Sequence, residues 1–217
     1  LLVKNSYFYS TSNNLTHTSF YDTLTKMKKE SLRMSYYFTL PVNEDLGLAY
    51  CDVSMAQEIY ECVISDKEHI GEFLDFAHRT TDISVQEEYI KMKLHNNAEG
   101  TDKMFCLIFE EAIIGCIDLH KINQKNQSAA IGYWIHSDYT NRGFITAVVK
   151  KICAYSFYGL HLNKLSIFAD VANVASNKVA LKCGFEFVGT DKAEVLLRDE
   201  LRDMNKYSLL KKDFQLE

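Results

Sequence analysis

Residues 131–158, IGYWIHSDYTNRGFITAVVKKICAYSFY, decide the fold. Residues 131–135 are aromatic and β-branched and read as a strand. HSDYTN follows as a polar turn. Arg142-Gly143 then opens a helix whose apolar residues, Ile145, Val148, Val149, Ile152 and Cys153, recur at offsets of three and four and share one face. A strand, a glycine turn and a helix start make an anion cradle, because the first helical amides have no internal partner and the helix dipole adds positive potential. Gly143 lets a phosphate approach the backbone. With one glycine rather than three, the stretch matches neither the dinucleotide nor the P-loop fingerprint. Read by itself it fits a plain helix start equally well. Gly159 is expected to cap the helix.

Upstream, residues 46–53 predict a strand. Ser54 with Gln57 forms a capping box for a helix that turns Met55, Ile59, Cys62 and Val63 inward. Residues 66–76 read as a second short helix and 77–83 as a loop. Ser84 with Glu87 forms another box, opening a helix to about residue 95 with Tyr89, Ile90, Met92 and Leu94 as its apolar residues. Residues 104–109 and 113–119 are strands joined at Glu110-Glu111, which lacks the usual Asn-Gly turn chemistry, and 121–128 form a wet loop. Downstream come a strand at 165–171 and a helix at 173–183 with a Ser/Asn-rich start, stopped by Gly184. Strands at 185–189 and 207–210 close the chain, with a charged excursion between them. Hairpin strands followed by a βαβ unit predict an α/β fold with a mixed sheet.

The chain has 217 residues, 47% hydrophobic and 24% charged, enough for one core-bearing domain with an appendage. No apolar run reaches the length of a membrane span, and no clear secretion signal opens the chain. A net charge of −5 argues against a general nucleic-acid binder. Residues 1–33 hold five bases and two acids, leaving nineteen bases and twenty-seven acids for the rest. This stretch is expected to be an extension outside the domain of residues 34–217, with Met34 a plausible natural start. The six cysteines lack any CxxC pair, and five sit in apolar patterns, which predicts buried free thiols in a reducing compartment. The seven histidines show no metal-ligand spacing, so no metal site is expected. The hydrolase pattern GxSxG is absent.

Three residues stand out as candidate chemistry. His136, just past the strand end, is either a solvated turn residue or a substrate contact. Ser176 opens the 173–183 helix, where a cap is the usual role of serine. Glu194 lies in DKAEVLL. Burial between Val195 and Leu196 would raise its pKa toward that of a useful base.

GYWIHSDYTNRGFIT followed by LNKLSIFADVANVASNKVALKCGFEFVG resembles the GCN5-related N-acetyltransferase superfamily, and within it the branch that acetylates ribosomal-protein N-termini. KMFCLIFEEAIIGCIDLHKIN, the Glu194 segment and MNKYSLLKKDF extend the likeness over roughly residues 38–214. The resemblance implies the acyl-CoA N-acyltransferase fold, a mixed, strongly twisted sheet whose central parallel strands splay apart. It also implies acetyl-CoA as co-substrate, its pyrophosphate on the amides of Asn141, Arg142, Gly143, Phe144, Ile145 and Thr146. The chain has Thr140 and Asn141 where this branch often has Gln and Gly. By the same resemblance Glu194 takes the proton from the acceptor amine and Ser176 stabilises the departing thiolate. Asn173 helps hold the cofactor arm, and backbone near Gly132–Ile135 meets the oxyanion. The implied acceptor is a protein N-terminal amine. The alternatives are a polyamine or other small amine, or a catalytically weak CoA-binding or interaction module. A cytoplasmic location follows, and a homodimer is an expectation from the branch alone.

Overall fold

The computed structural model describes residues 39–215, and the expectations for residues 1–33 and Met34 lie outside them. Eight strands form one sheet. They are β1 (Thr39–Pro41), β2 (Leu46–Tyr50), β3 (Lys103–Phe109), β4 (Ala112–Asn123), β5 (Ser128–Ile135), β6 (Lys164–Asp170), β7 (Glu186–Leu197) and β8 (Glu200–Leu210). Their spatial order is β1-β2-β3-β4-β5-β6-β8-β7. Helices α1 (Ala56–Ser65), α2 (Lys67–Gly71), α3 (Phe76–Arg79) and α4 (Ile83–Ala98) lie between β2 and β3, α5 (Phe144–Ala154) between β5 and β6, and α6 (Val174–Lys182) between β6 and β7. The expected α/β fold with a mixed sheet is present.

The β5-α5-β6 crossover makes β5 and β6 parallel, as a helical connection permits and a tight turn does not. Their pairing runs from Ser128↔Lys164 to Ile131↔Ile167 and stops. Beyond it β5 stays bonded to β4 as far as Ile135, and β6 stays bonded to β8 as far as Asp170. The two central strands therefore part into a V. Helix α5 holds the paired end with Val148, Val149, Ile152 and Cys153, all fully buried against Leu119, Ile131 and Leu165.

The helix starts differ from expectation. Asp52, not Ser54, caps the first turn, its carboxylate accepting from Ser54 N at 2.9 Å. Asp82, not Ser84, caps α4 in the same way at 2.8 Å. An ionised carboxylate is the stronger acceptor for an orphan amide. In α4, Gln86, Ile90 and Lys93 are the buried residues, while Tyr89 and Met92 stay exposed. The expected apolar stripe is thus replaced by a mixed polar one at i, i+4 and i+7. Residues 77–79, expected in a loop, belong to α3.

The β3–β4 and β7–β8 hairpin turns are left-handed at two successive non-glycine residues. They are Glu110 and Glu111 (φ 49° and 68°) and Arg198 and Asp199 (φ 47° and 65°). The charged excursion between the last strands is the outer half of the long β7–β8 hairpin. The expected wet loop at 121–128 shrinks, because β4 continues through Asn123 and β5 begins at Ser128. Gly159 ends a π-helical turn, Tyr155–Gly159, rather than serving as a left-handed cap. All six cysteines are buried and none is in a disulfide. Among the described residues no helix is long and apolar enough to cross a membrane.

Candidate active site

At the mouth of the V, β5 gives way to a turn fastened to the other side of the molecule. Asp66 accepts from Ser137 N at 2.6 Å and from Ser137 Oγ at 2.9 Å. Thr140 Oγ1 donates back to Ser137 O at 2.8 Å. His136 caps the turn, its Nδ1 accepting from Asp138 N at 3.2 Å. It is mostly buried rather than solvated. The Arg142 guanidinium donates to Asp138 O at 2.9 Å and lies over the Tyr139 ring at 5.2 Å. Asn141 (φ 61°) and Gly143 (φ 80°) are both left-handed, the conformation asparagine tolerates best after glycine. The first helical bond of α5 is Ala147 N to Gly143 O at 3.0 Å, so the amides of Phe144, Ile145 and Thr146 precede the helix's own ladder. Asn141, Arg142 and Gly143 are exposed and Phe144–Thr146 half-buried. These unladdered amides at a helix start are the kind of donor that holds an anion.

On one face of the V, Ser176 meets Tyr133. Asn173 is the true cap of α6, its side chain accepting from Ser176 N at 2.9 Å. The Ser176 hydroxyl is thereby spared from capping and lies 2.9 Å from Tyr133 Oη. Burial pushes the Tyr133 phenol up, the Ser176 contact opposing this in part, so the phenol keeps its proton. Asn177 anchors the turn. Its Oδ1 accepts from Tyr207 Oη at 2.7 Å and Asn205 Nδ2 at 2.9 Å, and its Nδ2 donates to Asp170 O at 2.8 Å.

Successive strand residues point to opposite faces, so Gly132 looks away from Ser176. A Cβ at Gly132 would stand 2.7 Å from Asp118 Oδ1 and 3.3 Å from His120 Cε1, so only glycine leaves that carboxylate uncovered. Asp118 belongs to a buried charge cluster. Lys93 Nζ donates to Asp118 Oδ2 at 2.6 Å and to Asp102 Oδ2 at 3.0 Å, and His120 Nδ1 lies 3.1 Å from Asp118 Oδ1. Burial alone would raise the Asp118 pKa, but His120 and Lys93 outweigh it and hold the carboxyl below its usual range. Beside this cluster is a cavity of about 140 Å³, walled largely by apolar side chains including Ile59, Leu74, Phe76 and Trp134, with Gln86 and Asp118 as its polar members.

Glu194 stands apart. It lies in an irregular stretch of β7 between Asp191 and Val195, next to left-handed Ala193. It is exposed, as are Val195 (42%) and Leu196 (63%). The burial that would turn it into a tuned base is not present.

A family model described as an acetyltransferase (GNAT) domain matches residues 46–186. The chain belongs to that family. The YdaF protein of Bacillus subtilis (strain 168), a proposed ribosomal N-acetyltransferase, is 30% identical over 82% of this chain and 98% of its own length. The ribosomal-protein-serine acetyltransferase of Escherichia coli (strain K12) is 25% identical over 78% of this chain and 95% of its own. A solved RimL structure, a ribosomal L7/L12 α-N-protein acetyltransferase in complex with coenzyme A, is alike in fold. Its TM-score is 0.77, with 22% identity over 80% of this chain and 98% of that one. This GNAT chain is an acetyl-CoA-dependent N-acetyltransferase.

Reading the sequence for motifs missed Tyr133, Gln86, Lys93, Asp118 and His120. The available signal was a charge in the wrong place: Asp118 interrupts the apolar run IIGCIDL, and Lys93 falls on the inner face of α4. Gly143 yields a direct test of the cradle. A Cβ there meets nothing within 4 Å, so Gly143→Ala acts only through its φ, at about 1–2 kcal/mol. KM for acetyl-CoA is expected to rise about tenfold, since ~1.4 kcal/mol is tenfold, with the acceptor KM unchanged. Steady-state kinetics with each substrate varied in turn distinguishes this from general damage, which would move both.

Proposed function

We propose that this GNAT enzyme acetylates the α-amine of a protein N-terminus, a ribosomal protein being the class its relatives' names support. The observation that carries the reading is the cavity behind β5, apolar over most of its wall and offering Asp118 as its one carboxylate. One carboxylate suits one ammonium group. A polyamine would bring further cations into a site with no partner for them, and a buried unpaired charge is expensive.

When bound, acetyl-CoA supplies the acetyl thioester. On the donor side, Ser176 Oγ is the proton source at the open end of the V, and Tyr133 Oη, 2.9 Å away, restores its proton. The edge of β5 over residues 132–135, left without β6, presents backbone donors where negative charge develops. On the acceptor side an N-terminal amine, whose ordinary pKa is about 7.7–8.0, needs modest help to lose its proton. Exposed Glu194 is assigned that help, passing the proton to solvent. Six buried thiols suit a reducing cytoplasm. A homodimer would cover the exposed apolar residues of the edge hairpin, Phe187, Val188, Leu196 and Leu201.

The test offers Ser- and Ala-starting peptides beside spermidine at equal concentration and follows acetyl transfer to each. Transfer to the peptides is expected to be faster by more than about tenfold, the factor set by ~1.4 kcal/mol and so well within the cost of an unpaired buried charge. Faster transfer to spermidine would overturn the acceptor class while leaving the enzyme class intact.

A further inference from the structure

Helix α4 turns three residues toward the sheet, Gln86, Ile90 and Lys93. Lys93 is fully matched by Asp102 and Asp118. Gln86 is not. Its side chain lines the cavity, the residue is only 3% exposed, and among the described residues its carboxamide has no hydrogen-bond partner. The amide is thus available to a polar group that enters the cavity. Asp118, on the same cavity wall, is also incompletely used. Each carboxylate oxygen accepts about two hydrogen bonds, and in Asp118 Oδ2 takes Lys93 and Oδ1 takes His120. The local balance is one lysine cation against two carboxylates, Asp102 and Asp118, with His120 alongside. The cavity therefore offers, in one lining, a buried carboxylate with lone pairs to spare and an amide that makes no hydrogen bond to another described residue.

We propose that Asp118 and Gln86 form a two-point recognition site for the first residue of the acceptor, Asp118 receiving its ammonium and the Gln86 carboxamide pairing with the peptide group that follows. This rests on the N-terminal reading of the acceptor and deepens it. A primary amine next to an amide is what separates a chain terminus from lysine side chains, polyamines and simple amino alcohols. Gly132 belongs to the same device, since any side chain there would cover Asp118 Oδ1. The apolar remainder of the cavity, small at about 140 Å³, leaves room for a small first side chain.

The test uses the full chain with Gln86→Leu and Asp118→Asn, and two acceptors. One is a Ser-starting tetrapeptide amide. The other is ethanolamine, which keeps the amine and hydroxyl of serine and lacks the amide. Both KM and kcat are measured, with KM for acetyl-CoA and the thermal midpoint as controls. Gln86→Leu is expected to raise KM for the tetrapeptide about tenfold, as loss of a buried hydrogen bond does. It should leave ethanolamine and acetyl-CoA unchanged. Asp118→Asn is expected to raise KM for both acceptors. A wild-type tetrapeptide KM in Gln86→Leu, or an equal rise for both acceptors, overturns the proposal. If Asp118→Asn fails to fold, the Gln86→Leu comparison alone decides. The acceptor class itself is judged separately, on the wild-type enzyme's preference between peptide and spermidine.

Discussion

Ser176→Ala is expected to lower turnover about 10²–10³-fold at every pH, the range for loss of one transition-state donor, with stability changed by no more than about 0.5 kcal/mol. The two halves of this expectation come from one fact. Serine at a helix start is usually a cap, and removing a cap costs about 1 kcal/mol. Here Asn173 is the cap and Ser176 contributes only its backbone N–H to it, so the hydroxyl is free for Tyr133. Asn173→Ala is the matching control, expected to lose the capping energy. Glu194→Gln should behave differently from Ser176→Ala, with its greatest loss at low pH, where the amine is protonated, and partial recovery at high pH. Paired pH–rate profiles and thermal melts read out all three variants. Normal turnover in a destabilised Ser176→Ala protein would return Ser176 to a structural role, and an unaltered profile in Glu194→Gln would remove Glu194 as the base.

Lys93→Met should cost about 3–5 kcal/mol of stability near neutral pH, as breaking a buried ion pair does. Lys93 Nζ lies 3.0 Å from Asp102 and 2.6 Å from Asp118, so its loss leaves two buried carboxylates without their shared cation. In the wild-type protein Asp118 is held below its usual range. Its stabilisation is therefore complete above the unfolded carboxylate pKa of about 3.9 and fades as pH falls toward the lower folded value. Lys93 is shifted upward. Burial alone would lower it, but Asp118, Tyr89 and Asp102 prevail, so its contribution is complete below the unfolded lysine pKa of about 10.4 and fades only at higher pH. In the variant the sign reverses. The Asp118 carboxyl, buried and without the lysine cation, rises in pKa, so acid relieves it. The deficit of Lys93→Met should be smaller at pH 4–5 than at pH 7–8, measured by chemical denaturation across that range. A deficit independent of pH would show that lost packing, not charge, is responsible.

The donor side of the site could be read from the chain because it is written locally. Arg142-Gly143 at a strand–helix junction fixes the cradle within a few residues, and the inward set of α5, Val148, Val149, Ile152 and Cys153, follows from spacing alone. The proposed acceptor side is assembled from residues far apart in sequence. Gln86, Lys93, Asp118 and Gly132 meet only through the pairing of β4 with β5 and the docking of α4. Apolar periodicity even points away from them, because it selects Tyr89 and Met92 for the inner face of α4. The hairpin turns were hidden for another reason. Glu110-Glu111 and Arg198-Asp199 adopt left-handed backbone without glycine or asparagine, so tertiary pairing of the strands overrides local preference there. The capping boxes at Ser54 and Ser84 misled by two residues, since an aspartate preceding each serine is the better acceptor.

The V between β5 and β6 also divides the sheet mechanically. On one side stand β1 through β5 and on the other β6, β8 and β7, and between Ser128↔Lys164 and Ile131↔Ile167 only four paired positions stitch the two blades. Past that seam each blade is hydrogen-bonded within itself. A molecule lying in the V spans the gap and becomes, for as long as it stays, a ninth strand-like element common to both blades. Seated in the V, as proposed, the donor substrate works as a splint, adding about 2.7 kcal/mol of folding free energy at a hundredfold excess over its Kd and coupling the unfolding of one blade to that of the other.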